Sequence, residues 1–364
     1  MSAHVLTAVS DGTAVITLDR PRALNSLSLD MVRAVTQTLL AWRDDDAVQA
    51  VVIRGSTEKA FCAGGDIRFF HDLGRATPEQ GSALVEDFFT EEYALNHLVH
   101  HYPKPYIALM DGVVMGGGMG VAQAGPQSRV RIVTERTRMA MPETNIGLFP
   151  DVGASYFLSR LPGRLGLYLG VAGATIGAAD ALYAGLADHY VPVADLTALE
   201  GVLSSGGGAH LPGAIAAFAA PFKAAVGPSA LERDRAAIDH HFGAGSVPAI
   251  MASLQADDSD FARATLAMMA TRSPLMMCVA YALQEQGAAM SMADCLRMER
   301  AAVRRTLENG QVIEGIRALV IDKDHAPRWE PAALADVTEA MVRQILAPAW
   351  PDHAHPLRHF HGAA

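Results

Sequence analysis

The chain reads as an α/β protein with a parallel sheet, continued by a helical C-terminal region. Short β-branched runs alternate with helical stripes through the first half. Glycine clusters follow two of those runs, and beyond Phe242 almost everything has helical periodicity. Thr13–Leu18 and residues 48–53 are apolar, β-branched runs ended by polar residues or glycine, as strands are. Strand-like sequence therefore begins by about Thr13. Between the two runs, Val32, Val35, Leu39 and Trp42 recur at spacings of three and four, one face of a helix. A second helix is predicted from Glu86 to about His100, and further strands over Tyr106–Met110 and residues 129–134. Strands separated by helices pair in parallel through crossovers.

After about Val193 the character changes. Residues 204–209, Ser-Ser-Gly-Gly-Gly-Ala, read as a flexible connector. Ser273-Pro274 is a cap with proline at the first helical position. Ser291 opens another helix, with Cys295, Met298, Ala302 and Leu307 on one face. There is no internal repeat. The expected division is an α/β core over residues 1–200, a helical region over 201–350, and a flexible His-rich tail over 351–364.

Composition narrows the class of function. Of 364 residues, 50% are hydrophobic and 19% charged, too apolar for a disordered chain. Twenty-nine Lys and Arg against 39 Asp and Glu leave a net charge of −10. That sign argues against a nucleic-acid partner, yet permits a local basic pocket for a small anion. Cys62, Cys278 and Cys295 are isolated, which supports neither a disulfide framework nor a structural zinc site. The N-terminus has no basic segment followed by an apolar run, and the longest uncharged stretches are too short and Gly-rich to span a bilayer. A cytoplasmic protein without a membrane partner is expected.

Three stretches can carry chemistry. Ala60-Phe-Cys-Ala-Gly-Gly-Asp-Ile67 turns sharply after a strand and can leave amide groups unpaired; it reads equally as a loop in which Asp66 caps a helix. Tyr106-Ile-Ala-Leu-Met-Asp-Gly-Val-Val-Met-Gly-Gly-Gly-Met-Gly120 runs a strand into glycines at a helix start, where free N–H groups face a ligand or small residues simply pack. Its spacing does not fit a dinucleotide-binding GxGxxG. Met141-Pro-Glu-Thr-Asn-Ile-Gly-Leu-Phe-Pro-Asp-Val-Gly153 places Glu143 and Asp151 among apolar residues, where a carboxyl can serve as base, acid or nucleophile, or as a solvated loop group. Gly153-Ala-Ser155-Tyr-Phe157 lacks the last glycine of a GxSxG elbow. The terminal histidines 353, 355, 359 and 361 read as a mobile segment, though they could chelate a metal adventitiously.

In this order, the three stretches resemble the enoyl-CoA hydratase/isomerase (crotonase) superfamily, and most closely its 3-hydroxyisobutyryl-CoA hydrolase branch. Leu18-Asp-Arg-Pro-Arg-Ala-Leu-Asn25, Glu91-Glu-Tyr93, the run from Met141 to Asp151, Glu314-Gly-Ile-Arg-Ala-Leu-Val-Ile-Asp-Lys-Asp324 and Pro327-Arg-Trp329 carry the resemblance. It spans roughly residues 10 to 347. It implies a crotonase spiral of repeated ββα turns followed by a helical region, and an acyl-CoA substrate. It implies no metal or redox cofactor, CoA being part of the substrate, and trimers or hexamers are common in the superfamily. Family oxyanion-hole amides carry over to Gly65 and Gly117. CoA is expected against Ala23, Leu24, Ala63, Asp66 and Ile67. Charge alone suggests Arg22 and Arg68 as phosphate partners.

Hydratases of the superfamily handle water with two glutamates. Here one is Glu143, but the other position is Gly120, which has no side chain to hold water. Asp151 stands where hydratases usually carry glycine, a swap typical of the hydrolase branch. The resemblance therefore implies hydrolysis of a short 3-hydroxyacyl-CoA in valine breakdown. In this reading Glu143 acts as nucleophile or base, Asp151 as proton shuttle or hydroxyl ligand, and Glu92 shapes the acyl pocket. Cys62, with no base beside it, is read as packing. A hydratase or isomerase on the same fold, and a non-catalytic acyl-CoA binder, are the alternatives.

Overall fold

The first strand lies upstream of Thr13. Val5–Ser10 (β1) pairs antiparallel with Thr13–Leu18 (β2) across Asp11-Gly12. These turn residues have φ of 48° and 79°, the left-handed conformations that a two-residue hairpin turn demands. The remaining strands are Ala50–Gly55 (β3), Ala60–Cys62 (β4), Tyr106–Met110 (β5), Val113–Met115 (β6), Arg129–Val133 (β7), Arg138–Ala140 (β8) and His189–Tyr190 (β9). One sheet runs β1-β2-β3-β5-β7-β9, and a second runs β4-β6-β8. Every pairing between these strands after the first hairpin is parallel. Consecutive strands β3/β4, β5/β6 and β7/β8 thus contribute one member to each sheet, the repeated turn of a spiral. The β4, β6 and β8 strands are three residues long, too short to show alternation in sequence.

The structure is a computed structural model that describes residues 2–76, 82–205 and 208–360. It comprises two compact units that alternate along the chain: Met1–Gly65, Ala94–Ala140 and Ile176–Glu232 in one, Asp66–Tyr93, Met141–Thr175 and Arg233–Ala364 in the other. These units cut the chain at more places than a division near residue 200 does. The first holds both sheets. Ala50, Val52, Ile107, Leu109, Val130 and Ile132, at period two on β3, β5 and β7, pack with Val191, Leu199, Leu203, Leu211 and Ile215. Val51, Ile53, Ala108 and Met110 on the opposite face are also buried, as in parallel sheets covered on both sides. Leu199 and Leu203 belong to a helix, Leu196–Ser205, that takes in the start of the predicted connector. Gly208–His210 is a 3-10 turn, and residues 206 and 207 lie outside the described residues.

The second unit is largely helical, and five of its helices start with one chemistry. Ser246, Ser259, Ser273, Ser291 and Thr338 each accept a hydrogen bond from the backbone N–H three residues on. The helix Met292–Asn309 buries Cys295 and Ala302 as predicted, but also Glu299, Arg300 and Thr306, while Leu307 is half-buried. Arg300 pays no isolated-charge penalty: its guanidinium donates to Glu86 at 2.6 Å and to Thr90 at 3.0 Å. The expected loose tail is instead held over residues 351–360. Leu357 is buried, His355 Nε2 meets the Arg297 carbonyl at 3.1 Å, and Arg297 donates to the Phe360 carbonyl at 2.7 Å. An apolar anchor and a guanidinium that satisfies free carbonyls hold the segment down; residues 361–364 lie outside the described residues. Among the described residues, no single helix is long and apolar enough to cross a membrane.

Candidate active site

Two glycine turns of the first unit run beside each other. Leu24 and Asn25 take left-handed φ of 50° and 57°. Asn25 then ties the loop down, its side chain donating to the Ala60 carbonyl at 2.8 Å and accepting from the Arg20 N–H at 2.9 Å. Ala63 N–H donates to the Leu24 carbonyl at 3.0 Å, and Leu27 N–H to the Gly64 carbonyl at 2.7 Å. Gly64 has φ of 96°, and a Cβ built on it would stand 3.4 Å from the Gly117 nitrogen. The Gly64-Gly65 turn therefore runs beside Gly117, the first residue of the helix Gly117–Ala122. An N–H at that position precedes the first intrahelical bond, here Gly120 N–H to the Gly116 carbonyl at 3.3 Å. A Cβ on Gly118 would collide with the Cys62 carbonyl oxygen. Gly118→Ala is expected to push this helix start from its place and to depress turnover well beyond its effect on the thermal midpoint, as comparison of the two rates and melts will read.

The carboxyl groups belong to the second unit. Glu92 and Tyr93 lie on the helix Ala83–His100. Glu143 opens a 3-10 turn after Pro142, closed by Gly147 at φ 71°, where a Cβ would meet the Gln311 carbonyl. Asp151 follows Pro150 and precedes Val152 and Gly153, both with positive φ (54° and 88°). Glu92, Glu143 and Asp151 are 2%, 5% and 4% exposed. Tyr93 donates to Asp151 Oδ2 at 2.6 Å. Among the described residues, Glu92 Oε1 and Glu143 Oε2 have no hydrogen-bond partner. Burial pushes all three carboxyls up. The neighbouring Asp151 charge adds to the rise of Glu92 and Glu143, and Glu143 feels Glu92 as well. Asp151 reaches about 6, because the Tyr93 hydrogen bond and a backbone N–H oppose its burial. Like charges in a dry setting share protons, so the cluster holds a proton available for transfer near neutrality.

A fourth buried carboxyl, Glu299, was not foreseen. From the helix Met292–Asn309 it accepts from Gly153 N–H at 2.7 Å, Ser155 N–H at 2.9 Å and the Ser155 hydroxyl at 2.5 Å. It thereby anchors the backbone just after Asp151. Burial raises Glu299 to about 8 despite these bonds, with Asp151 contributing. A folded pKa above the free value of 4.5 means that folding takes up a proton. The resulting stabilisation is complete below that value and is lost as pH rises through about 8. Glu299→Gln cannot titrate, so its stability deficit against the native chain is expected to narrow between about pH 5 and about pH 9. Thermal unfolding at the two pH values checks this.

The other predicted residues fall in place separately. In the first unit, Ala23 and Ala63 are half-buried and Leu24 is exposed, as is Arg22. In the second, Asp66 accepts from Phe69 N–H at 3.4 Å, the helix-cap geometry of the plainer reading. Ile67 starts the helix Ile67–Ala76, and exposed Arg68 donates to the Val320 carbonyl at 3.2 Å. Cys62 is buried beside the Gly64 carbonyl.

A family profile described as enoyl-CoA hydratase/isomerase matches residues 13–346, and the chain belongs to that family. Its fold is the crotonase fold. It is similar to 3-hydroxyisobutyryl-CoA hydrolase, mitochondrial, from Danio rerio, at 40% identity over 90% of this chain and 85% of that protein. Among solved structures it is similar to a carnitinyl-CoA dehydratase from Mycobacterium thermoresistibile, with TM-score 0.86 and 38% identity over 96% of this chain and 98% of that one. An enoyl-CoA hydratase from Rhodobacter sphaeroides 2.4.1 follows at TM-score 0.82 and 36% identity, covering 95% and 98%. The cytoplasmic expectation is overturned, since the curated hydrolase relative is mitochondrial by name.

Proposed function

We propose that the protein hydrolyses the thioester of 3-hydroxyisobutyryl-CoA, or of a similar short 3-hydroxyacyl-CoA, to the free acid and CoA, as a step in valine breakdown. The observation that carries this reading is the buried acidic cluster with two unpartnered carboxylate oxygens, on Glu92 and Glu143. Buried polar atoms are nearly always satisfied, so a pair left open marks a place for a polar ligand. The amides of Gly65 and Gly117 polarise the thioester carbonyl, and preorganised donors of this kind contribute roughly 3–4 kcal/mol to the transition state. Glu143 passes its proton to Asp151 and then, as carboxylate, attacks the carbonyl carbon or takes a proton from water that does so. The C–S bond breaks as the tetrahedral centre collapses, and Asp151 delivers its proton to the departing thiolate. Glu92 receives the 3-hydroxyl. CoA lies along Ala23, Leu24, Ala63, Asp66 and Ile67, with Arg22 and Arg68 toward its phosphates. No step calls for a metal or redox cofactor.

A second reading is favoured by the names of the two solved structures, a dehydratase and a hydratase. Against it, Gly120 lies buried in the helix Gly117–Ala122 and offers no group to hold water. The two readings separate in one assay. Hydrolysis predicts free thiol from 3-hydroxyisobutyryl-CoA and slow hydration of crotonyl-CoA; the reverse result supports the second.

A further inference from the structure

We propose that Tyr93 is a positioning residue for this reaction: its hydroxyl, held on Asp151 Oδ2, reserves the other carboxylate oxygen for the proton that is moved. The inference rests on the hydrolase reading and goes beyond it by assigning a role to a residue that touches neither thioester nor water. Tyr93 is fully buried, and its hydroxyl lies 2.6 Å from Asp151 Oδ2, in the range of hydrogen bonds to a charged oxygen. Its ring stands edge-on to Phe89, 6.1 Å between centroids, and Phe89 in turn stacks on Phe70 and meets Phe88. The phenol therefore has no room to swing away from the carboxylate.

The groups that face Asp151 make this bond consequential. Glu92 comes from the same helix as Tyr93, Glu143 from the turn after Pro142, and Glu299 from the helix Met292–Asn309. All three are acids. Among the described residues, Tyr93 is the side chain that donates to Asp151. Burial, and then Asp151 and Glu299, push the phenol well up, so it remains a donor across the working pH and is not itself a source of protons. One hydrogen bond thus breaks the equivalence of the two Asp151 oxygens. Oδ2 is occupied, and the proton bound for the leaving thiolate must ride on Oδ1. The same bond favours the ionised form of Asp151 over its acidic neighbours, so Asp151 starts as the acceptor of the Glu143 proton, and its protonation from solvent sets the low-pH boundary of activity.

The test is Tyr93→Phe, which keeps the ring and removes the hydroxyl, read by the pH dependence of kcat/KM for thiol release from 3-hydroxyisobutyryl-CoA. The acid limb is expected to move up by about one pH unit, a tenfold gain in proton affinity. At the plateau kcat should fall about tenfold, with KM changed less than about twofold. In the opposite sense, 3-fluorotyrosine at position 93 is a stronger donor and should move the acid limb down, which keeps the test decisive should the phenylalanine variant fold poorly. An unmoved limb in either folded variant, with only the thermal midpoint lowered, overturns the proposal. Infrared titration of the buried carboxyls reads the same shift without turnover. A native chain that releases no thiol, yet shows that infrared shift on substitution, overturns the hydrolase reading and leaves the Tyr93–Asp151 coupling standing.

Discussion

Glu143→Gln is expected to lower kcat for thiol release from 3-hydroxyisobutyryl-CoA by about a thousandfold, with KM changed less than about threefold. The substitution keeps shape and burial but removes the group that ionises. Glu143 is buried, one of its oxygens is unpartnered, and its acidity is set by burial and by Asp151. Whether it attacks carbon or activates water, the transition state needs its negative charge and the bound substrate does not. The loss should therefore fall on turnover and not on affinity. Steady-state kinetics over a range of substrate concentration distinguishes the two. Turnover within about tenfold of native would remove Glu143 from the chemistry.

Arg131→Ala is expected to destabilise the chain by about 2–3 kcal/mol, because the buried arginine loses several hydrogen bonds while water reaches the Asp188 carboxylate it leaves behind. Arg131 is 2% exposed. Its guanidinium donates to both Asp188 oxygens, at 3.0 and 2.9 Å, to Gln123 Oε1, and to the Gly185 carbonyl at 2.8 Å. These bonds join β7 to the segment leading into β9. Burial alone would raise Asp188, but hydrogen bonds and charge from Arg131 outweigh it and hold the carboxyl below its ordinary range. That contribution is present above the free carboxyl value near 3.8 and is lost as pH falls through the folded one. The urea midpoint at neutral pH should drop accordingly. A midpoint change worth less than about 1 kcal/mol would mean that the pair is replaceable by solvent.

The sheet was legible where strands are long enough to show a pattern. Thr13–Leu18 and Tyr106–Met110 are read to the residue, because β-branched runs there end in a turn or a polar group. β1 escaped because it is an exposed edge strand, with only Val5 buried, so no alternation of burial shapes its composition. The Asp11-Gly12 pair was the signal that could have found it. Glu92, Glu143 and Asp151 were singled out through motif resemblance, and the burial of Glu143 and Asp151 agrees with the apolar company they keep in sequence. Glu299 was hidden because a charged run, Arg297-Met-Glu-Arg300, reads as a solvated face. Its partners, Gly153 and Ser155, lie some 144 residues or more away along the chain. The Tyr93–Asp151 bond was hidden for the same reason, since contacts across 58 residues leave no local trace.

The buried acids are proposed to act on a thioester that carries a 3-hydroxyl. Free thiol can be followed with a chromogenic thiol reagent while 3-hydroxyisobutyryl-CoA, isobutyryl-CoA and crotonyl-CoA are presented in parallel. Hydrolysis of a 3-hydroxyacyl thioester predicts rapid thiol release from the first, release slower by at least about a hundredfold from the second, and little hydration of the third. Fast hydration of crotonyl-CoA with no thiol released from 3-hydroxyisobutyryl-CoA would contradict it.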